Sequence, residues 1–114
     1  MDLNKYQNII QKFADDRNWE QYHNPKNLVM ALSGEVGELT EIFQWQNEEE
    51  SKNLSDKDLQ SAKEEIADIF IYLLRISDKL GIDVEDAVNE KLEINANKYP
   101  IELAKDNAVK YSKR

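Results

Sequence analysis

Apolar residues recur at helical spacing along most of the chain. Tyr6, Ile9, Ile10 and Phe13 fall three and four residues apart, which predicts a first helix from about Leu3 to Asp16. Residues 17–24 lack that period and read as a connection. Asn24 followed by Pro25 marks a helix start: the Asn side chain can accept from a first-turn N–H that has no other partner, and proline fits the first helical position. A second helix is expected from there to about residue 47, and the polar run Glu48-Glu49-Glu50-Ser51-Lys52-Asn53 reads as a solvated loop. Ser55 caps a third helix with Asp56 and Asp58 in its first turn, where the helix dipole favours negative charge; it ends near Leu80, before Gly81. Asp83 opens a fourth, with Val84, Ala87, Val88, Leu92 and Ile94 as its apolar positions, and Pro100 stops it at Tyr99. Residues 101–114 have weak periodicity and are expected to be irregular, with one helical turn.

The faces of the two central helices do not follow simple amphipathic design. At about 100° per residue, Leu28, Leu32, Leu39, Ile42 and Phe43 share one arc of the second helix, and Glu35 lies within it, with Glu38 on its flank. On the third helix Leu59, Ala62, Ile66, Ile69, Phe70, Leu73 and Leu80 form the main stripe, extended by Ala67, Ile71 and Leu74; Glu65, Asp68 and Tyr72 occupy the gap between apolar residues. Carboxylates three residues apart share a helix face. Two such helices packed together would therefore gather Glu35, Glu38, Glu65 and Asp68 into one cluster. Acids spaced in this way are common on solvated helices, but here both pairs invade apolar runs, and conflicts of that kind mark function. Carboxylates crowded into a partly dry site repel one another, and protonation, basic partners or a hard, oxygen-seeking cation such as Mg2+ relieves the repulsion.

Composition narrows the classes. The chain has 114 residues with 40% hydrophobic content, 3 Gly, 2 Pro and no Cys, which suits one compact all-α domain without disulfides or thiolate metal sites. No charged-then-apolar leader and no apolar run long enough to span a membrane is present, so a cytoplasmic protein is expected. The formal net charge of -8 opposes binding to nucleic acid or an anionic membrane. That charge is uneven: residues 1–90 carry 9 Lys/Arg against 20 Asp/Glu (-11), and residues 91–114 carry 6 against 3 (+3).

The acids stand as Glu35-Val36-Gly37-Glu38 and Glu65-Ile66-Ala67-Asp68, an ExxE separated by 26 residues from an ExxD. With Phe13-Ala14, the block Asp16-Arg17-Asn18-Trp19-Glu20-Gln21-Tyr22-His23, Pro25-Lys26-Asn27-Leu28, Phe43-Gln44-Trp45, Ile71-Tyr72-Leu73 and Lys98-Tyr99-Pro100, they make the chain resemble the MazG-like family of all-α nucleoside triphosphate pyrophosphohydrolases, in its dCTP pyrophosphatase branch. The resemblance covers roughly residues 10–105. One position departs from it: relatives of the animal branch carry a His near the base pocket where Ile10 stands here, which bears on cytosine selectivity.

The resemblance implies a four-helix bundle assembled as a dimer of dimers. It also implies hydrolysis of a nucleoside triphosphate, a small-molecule substrate and dCTP or a related pyrimidine deoxynucleotide, to monophosphate and pyrophosphate, in a housecleaning role. By similarity Glu35, Glu38, Glu65 and Asp68 hold Mg2+ and serve catalysis, while Trp19, His23, Trp45, Tyr72, Lys91, Asn95, Lys98 and Tyr99 bind substrate. Water would attack the α-phosphorus in line, and one of the glutamates or neighbouring Glu41 could take its proton. Two rivals stand beside this reading. A di-metal carboxylate bundle expects paired Glu-x-x-His motifs, to which the single His23 does not belong. A non-catalytic helical interaction module would use the acids only to solvate one face.

Overall fold

The structure is a computed structural model that describes residues 1–109, and among these the ordered elements are helices. Helix α1 spans Leu3–Asp16, α2 Pro25–Phe43, α3 Glu48–Lys52, α4 Asp56–Leu80, α5 Val84–Lys98 and α6 Ile101–Ala104, with a 3-10 turn at Glu20–Tyr22. The contacts divide the chain into two compact units, the first Met1–Gly81 and the second from Ile82 onward.

Local chemistry places most helix ends where the sequence predicts them. Asn24 accepts from the Asn27 N–H at 2.9 Å with Pro25 in the first turn, Ser55 accepts from Asp58 at 3.1 Å, and Asp83 accepts from Asp86 at 3.0 Å. Gly81 ends α4 in the left-handed region at φ 67°, which a residue without Cβ adopts at little cost. Two expectations change. Helix α2 stops at Phe43 instead of near residue 47, and the acidic run expected to be a loop forms α3. The cause is a capping box: Asn47 accepts from the Glu50 N–H at 2.9 Å, and the Glu50 carboxylate accepts from the Asn47 N–H at 3.2 Å. After α5, the expected single turn is α6; residues 110–114 of the tail lie outside the described residues.

In the first unit α2 packs along α4, and α1 packs on α4. Leu28 and Leu74 are fully buried, joined by Ala14 and Ala62. The arc of α2 expected to face the interior does so: Leu32, Glu35, Leu39, Ile42 and Phe43 are all half-buried. Helix α4 is different. Its sheltered arc carries Ala62, Glu65, Ile69, Tyr72 and Ile76, while Leu59, Ile66, Phe70 and Leu73 of the expected main stripe stand exposed. Glu35 and Glu65 thus lie on the sheltered sides of their helices, and the chain is left with a broad apolar surface.

Candidate active site

Three carboxylates come together where α2 meets α4. Oxygens of Glu35, Glu38 and Glu65 lie within 4.8 Å of one another; Glu35 and Glu65 are half-buried and Glu38 is exposed. The geometry follows from helical spacing, since Glu35 and Glu38 are one turn apart on α2 and Glu65 sits opposite them on the sheltered arc of α4. Asp68, one turn after Glu65, is exposed and stands outside this closest group, but it lines the adjoining cavity with Glu35.

The electrostatics record the crowding. Glu65 is pushed up from 4.5 to about 7, first by a hydrogen bond shared with Glu35, then by burial, by a hydrogen bond with Glu38 and by the negative charges of both. Burial and the charges of Glu35 and Asp68 likewise raise the Tyr72 hydroxyl above its ordinary value. Oε2 of Glu35 and Oε2 of Glu65 are buried without any hydrogen-bond donor. Buried oxygens of this kind are costly unless something positive meets them. An all-oxygen donor set with two orphaned atoms fits a hard divalent cation such as Mg2+.

Beside the acids lies a cavity of about 370 Å³. Ile9, Ile10, Phe13, Ala14 and Ile71 make its apolar walls, and Trp19, His23, Glu35, Asp68, Tyr72 and Arg75 give it polar groups. Trp19 meets Phe13 edge-on with centroids 5.7 Å apart, and its ring lies 6.1 Å from that of His23. The structure therefore gathers Trp19, His23, Glu35, Asp68 and Tyr72 around one hollow, and Glu35 joins that hollow to Glu38 and Glu65 of the acidic trio. Trp45 lies beyond the end of α2 and is 88% exposed. Lys91 and Asn95 are exposed on α5, Lys98 ends that helix half-buried, and Tyr99 follows it; all four belong to the second unit.

Arg75 is a cavity residue that the sequence reading missed. Its side chain is buried, donating from Nε to His23 Nδ1 at 3.1 Å, from Nη2 to Glu20 Oε2 at 2.5 Å and from Nη1 to Gln11 Oε1. The signal was present: a charge inside Ile69-Phe70-Ile71-Tyr72-Leu73-Leu74-Arg75-Ile76 breaks an apolar run as plainly as the acids do.

Comparison with known proteins agrees with this architecture. The chain is 42% identical over 103 residues to dCTP pyrophosphatase 1 of Bos taurus and 41% identical to that of Homo sapiens, in each case over 89% of this chain. It spans only 61% of the length of these relatives. A pyrophosphatase from Archaeoglobus fulgidus superposes with a TM-score of 0.82 at 40% identity, over 88% of this chain and 94% of that one. The MazG-like family profile matches residues 30–113, which take in both acidic motifs, and the chain belongs to the MazG-like family.

Proposed function

We propose that this protein is a Mg2+-dependent nucleoside triphosphate pyrophosphohydrolase, converting dCTP or a related pyrimidine deoxynucleotide to monophosphate and pyrophosphate, with nucleotide-pool housecleaning as its role. The observation that carries the reading is the pair of buried oxygens of Glu35 and Glu65 that no donor meets, inside a trio of carboxylates beside an aromatic cavity. Glu35, Glu38 and Glu65, joined by Asp68, would hold the ion. When bound, it supplies positive charge to the phosphate oxygens and helps align water and leaving group.

The chain's own side chains account for the rest. A cavity of about 370 Å³ suits a nucleoside. Trp19 offers a stacking face, an interaction that contributes about 1–3 kcal/mol per base. Tyr72 stays protonated because its pKa is raised, and it can donate to a sugar hydroxyl or phosphate oxygen. Water attacking the α-phosphorus forms a new P–O bond as the bond to the bridging oxygen breaks and pyrophosphate departs. The water's proton passes to a carboxylate of the cluster or to Glu41. Trp45 supplies a second aromatic face, and Lys91, Asn95, Lys98 and Tyr99 bring cations and donors whose chemistry suits the β- and γ-phosphates.

The reading extends to one MazG-like domain over residues 1–114, acting in the cytoplasm as a homotetramer, a dimer of dimers. Exposed Leu59, Ile66, Phe70 and Leu73 on α4, with Val29, Met30 and Val36 on α2, support assembly, because one protomer leaves them uncovered. No described helix is long and apolar enough to cross a membrane.

The test is pyrophosphate release from dCTP with Mg2+, measured beside Glu38→Gln. The parent should be active, and the variant should lose more than the roughly 10–100-fold typical of residues that only support a metal ligand. No release from any common triphosphate would overturn the proposal. A purine triphosphate preferred by about tenfold, some 1.4 kcal/mol, would overturn the choice of base alone.

A further inference from the structure

Among the described residues Arg75 is the buried charged side chain, and it ties together three elements that are distant in sequence. From α4 it reaches Gln11 on α1, Glu20 in the 3-10 turn and His23 just beyond that turn, with Asp78 Oδ2 at 3.8 Å. The surrounding partners fix one pattern of donors and acceptors. The Gln11 amide nitrogen donates to Asp15 Oδ1 at 2.7 Å and Glu20 Oε2 at 3.2 Å, so its oxygen is the atom left for Arg75. Lys79 also bonds Glu20, which anchors the carboxylate from the same helix.

This pattern determines the state of His23. A guanidinium is always protonated and has no acceptor. The imidazole nitrogen facing Arg75 Nε must therefore present a lone pair, and a doubly protonated ring would set N–H against N–H. That arrangement requires a neutral ring with its proton on Nε2. Burial and then the Arg75 charge both lower the His23 pKa, in agreement with that geometry. Among the described residues no group meets Nε2, and His23 lines the cavity together with Trp19. The other ionisable groups lining that cavity are Glu35, Asp68 and Tyr72.

We infer that Arg75 is a positioning residue that locks His23 as a neutral Nε2–H donor into the cavity, where it selects a base presenting a carbonyl oxygen beside a ring-nitrogen lone pair, as the O2 and N3 edge of cytosine does. The selection of a base rests on the proposed pyrophosphohydrolase activity; the locked state of His23 does not. Because the neighbouring walls Ile9, Ile10, Phe13 and Ile71 have no hydrogen-bonding side chains, a ligand that left this donor unpaired would be penalised.

His23 is the single histidine of the chain, so imidazole 15N NMR reads it without ambiguity. In the wild-type protein the signal should be that of a neutral ring protonated at Nε2, persisting below the ordinary value of 6.5. Arg75→Met should give mixed tautomers and titration shifted back toward that value, with Arg75→Lys in between. With dCTP and Mg2+, Arg75→Met should raise KM by roughly tenfold, about the loss of one hydrogen bond, and leave kcat within about twofold. A wild-type ring protonated on Nδ1, or titrating at its ordinary value, overturns the inference, and this spectrum decides the matter even if Arg75→Met does not fold. Should every triphosphate go unhydrolysed, the base-reading half falls with the proposed activity while the NMR result still judges the lock; an unchanged KM in an active Arg75→Met protein overturns the base-reading half alone.

Discussion

Glu35 of α2 and Glu65 of α4 bring carboxylate oxygens to within 4.8 Å of each other across the helix interface. This one contact explains both the cluster's cost and its use. Without a cation, the hydrogen bond with Glu35, burial and the neighbouring like charges hold Glu65 in its protonated form to about pH 7, and each residue still has an oxygen with no donor. A divalent cation reverses that preference, because it favours the ionised form of every carboxylate near it.

The metal-free protein should therefore lose stability as the pH rises through the Glu65 window. Its folded pKa of about 7 lies above the ordinary 4.5, so between these values the folded state binds more protons than the unfolded chain, and stability falls with rising pH, levelling off above about 7. His23 acts in the opposite sense: its lowered pKa makes stability rise with pH up to about its ordinary 6.5. Comparison with Glu65→Gln cancels the His23 contribution. Melting in EDTA should show the variant more stable than the parent at pH 8, with the gap closing by about pH 5. A gap of the same size at both pH values would rule out the raised Glu65 pKa.

Added Mg2+ should change the order of that pair. At pH 8 the ion binds the folded carboxylates and raises the parent's melting temperature in a concentration-dependent way, by an amount equivalent to about 2.7 kcal/mol at a hundred times the dissociation constant. Glu65→Gln, having lost a charged ligand, should respond far less. Calorimetric scans with and without Mg2+ check this independently of turnover, and equal shifts in the two proteins would remove Glu65 from the metal set.

Much of this site was legible in the sequence because two signals coincided. Caps at Asn24, Ser55 and Asp83 set the helix starts, and Glu35 and Glu65 stood where an amphipathic helix should place apolar residues. What periodicity alone could not decide was which side of α4 faces α2. A stripe of Leu59, Ile66, Phe70 and Leu73 reads as core in one chain, yet the sheltered arc is the one centred on Glu65. Helix α3 was hidden for a different reason: five polar residues have no apolar period, and only the reciprocal Asn47 and Glu50 hydrogen bonds distinguish them from a loop. Arg75 stands out locally as a charge inside an apolar run, but its role does not, because its partners lie on α1, in the 3-10 turn and just after it, a proximity that no local pattern encodes.

The capping box at α3 offers a direct check on how that segment holds together. Asn47→Ala removes the acceptor for the Glu50 N–H and should destabilise the segment by about 0.5–2 kcal/mol. Because α3 is so short and its residues are exposed, the effect should appear as faster local hydrogen exchange over residues 48–52, with little change in the global melting temperature. Unchanged exchange would mean that the box contributes nothing to this turn.

Assembly should depend on the exposed face of α4. Ile66 lies between the metal-cluster residues Glu65 and Asp68 in sequence but is 57% exposed, on the side of α4 away from Glu65, next to Leu59, Phe70 and Leu73. Burying such a residue contributes about 1.5–3 kcal/mol, and a closed symmetric assembly repeats the contribution at every equivalent interface. Ile66→Glu places a charge in that interface, where its desolvation is not repaid. Sedimentation should find the parent as a tetramer and the variant as smaller species, with the helical content of the protomer retained. A parent that sediments as a monomer, or a variant that keeps the parent's size, would mean that this face serves something other than self-association.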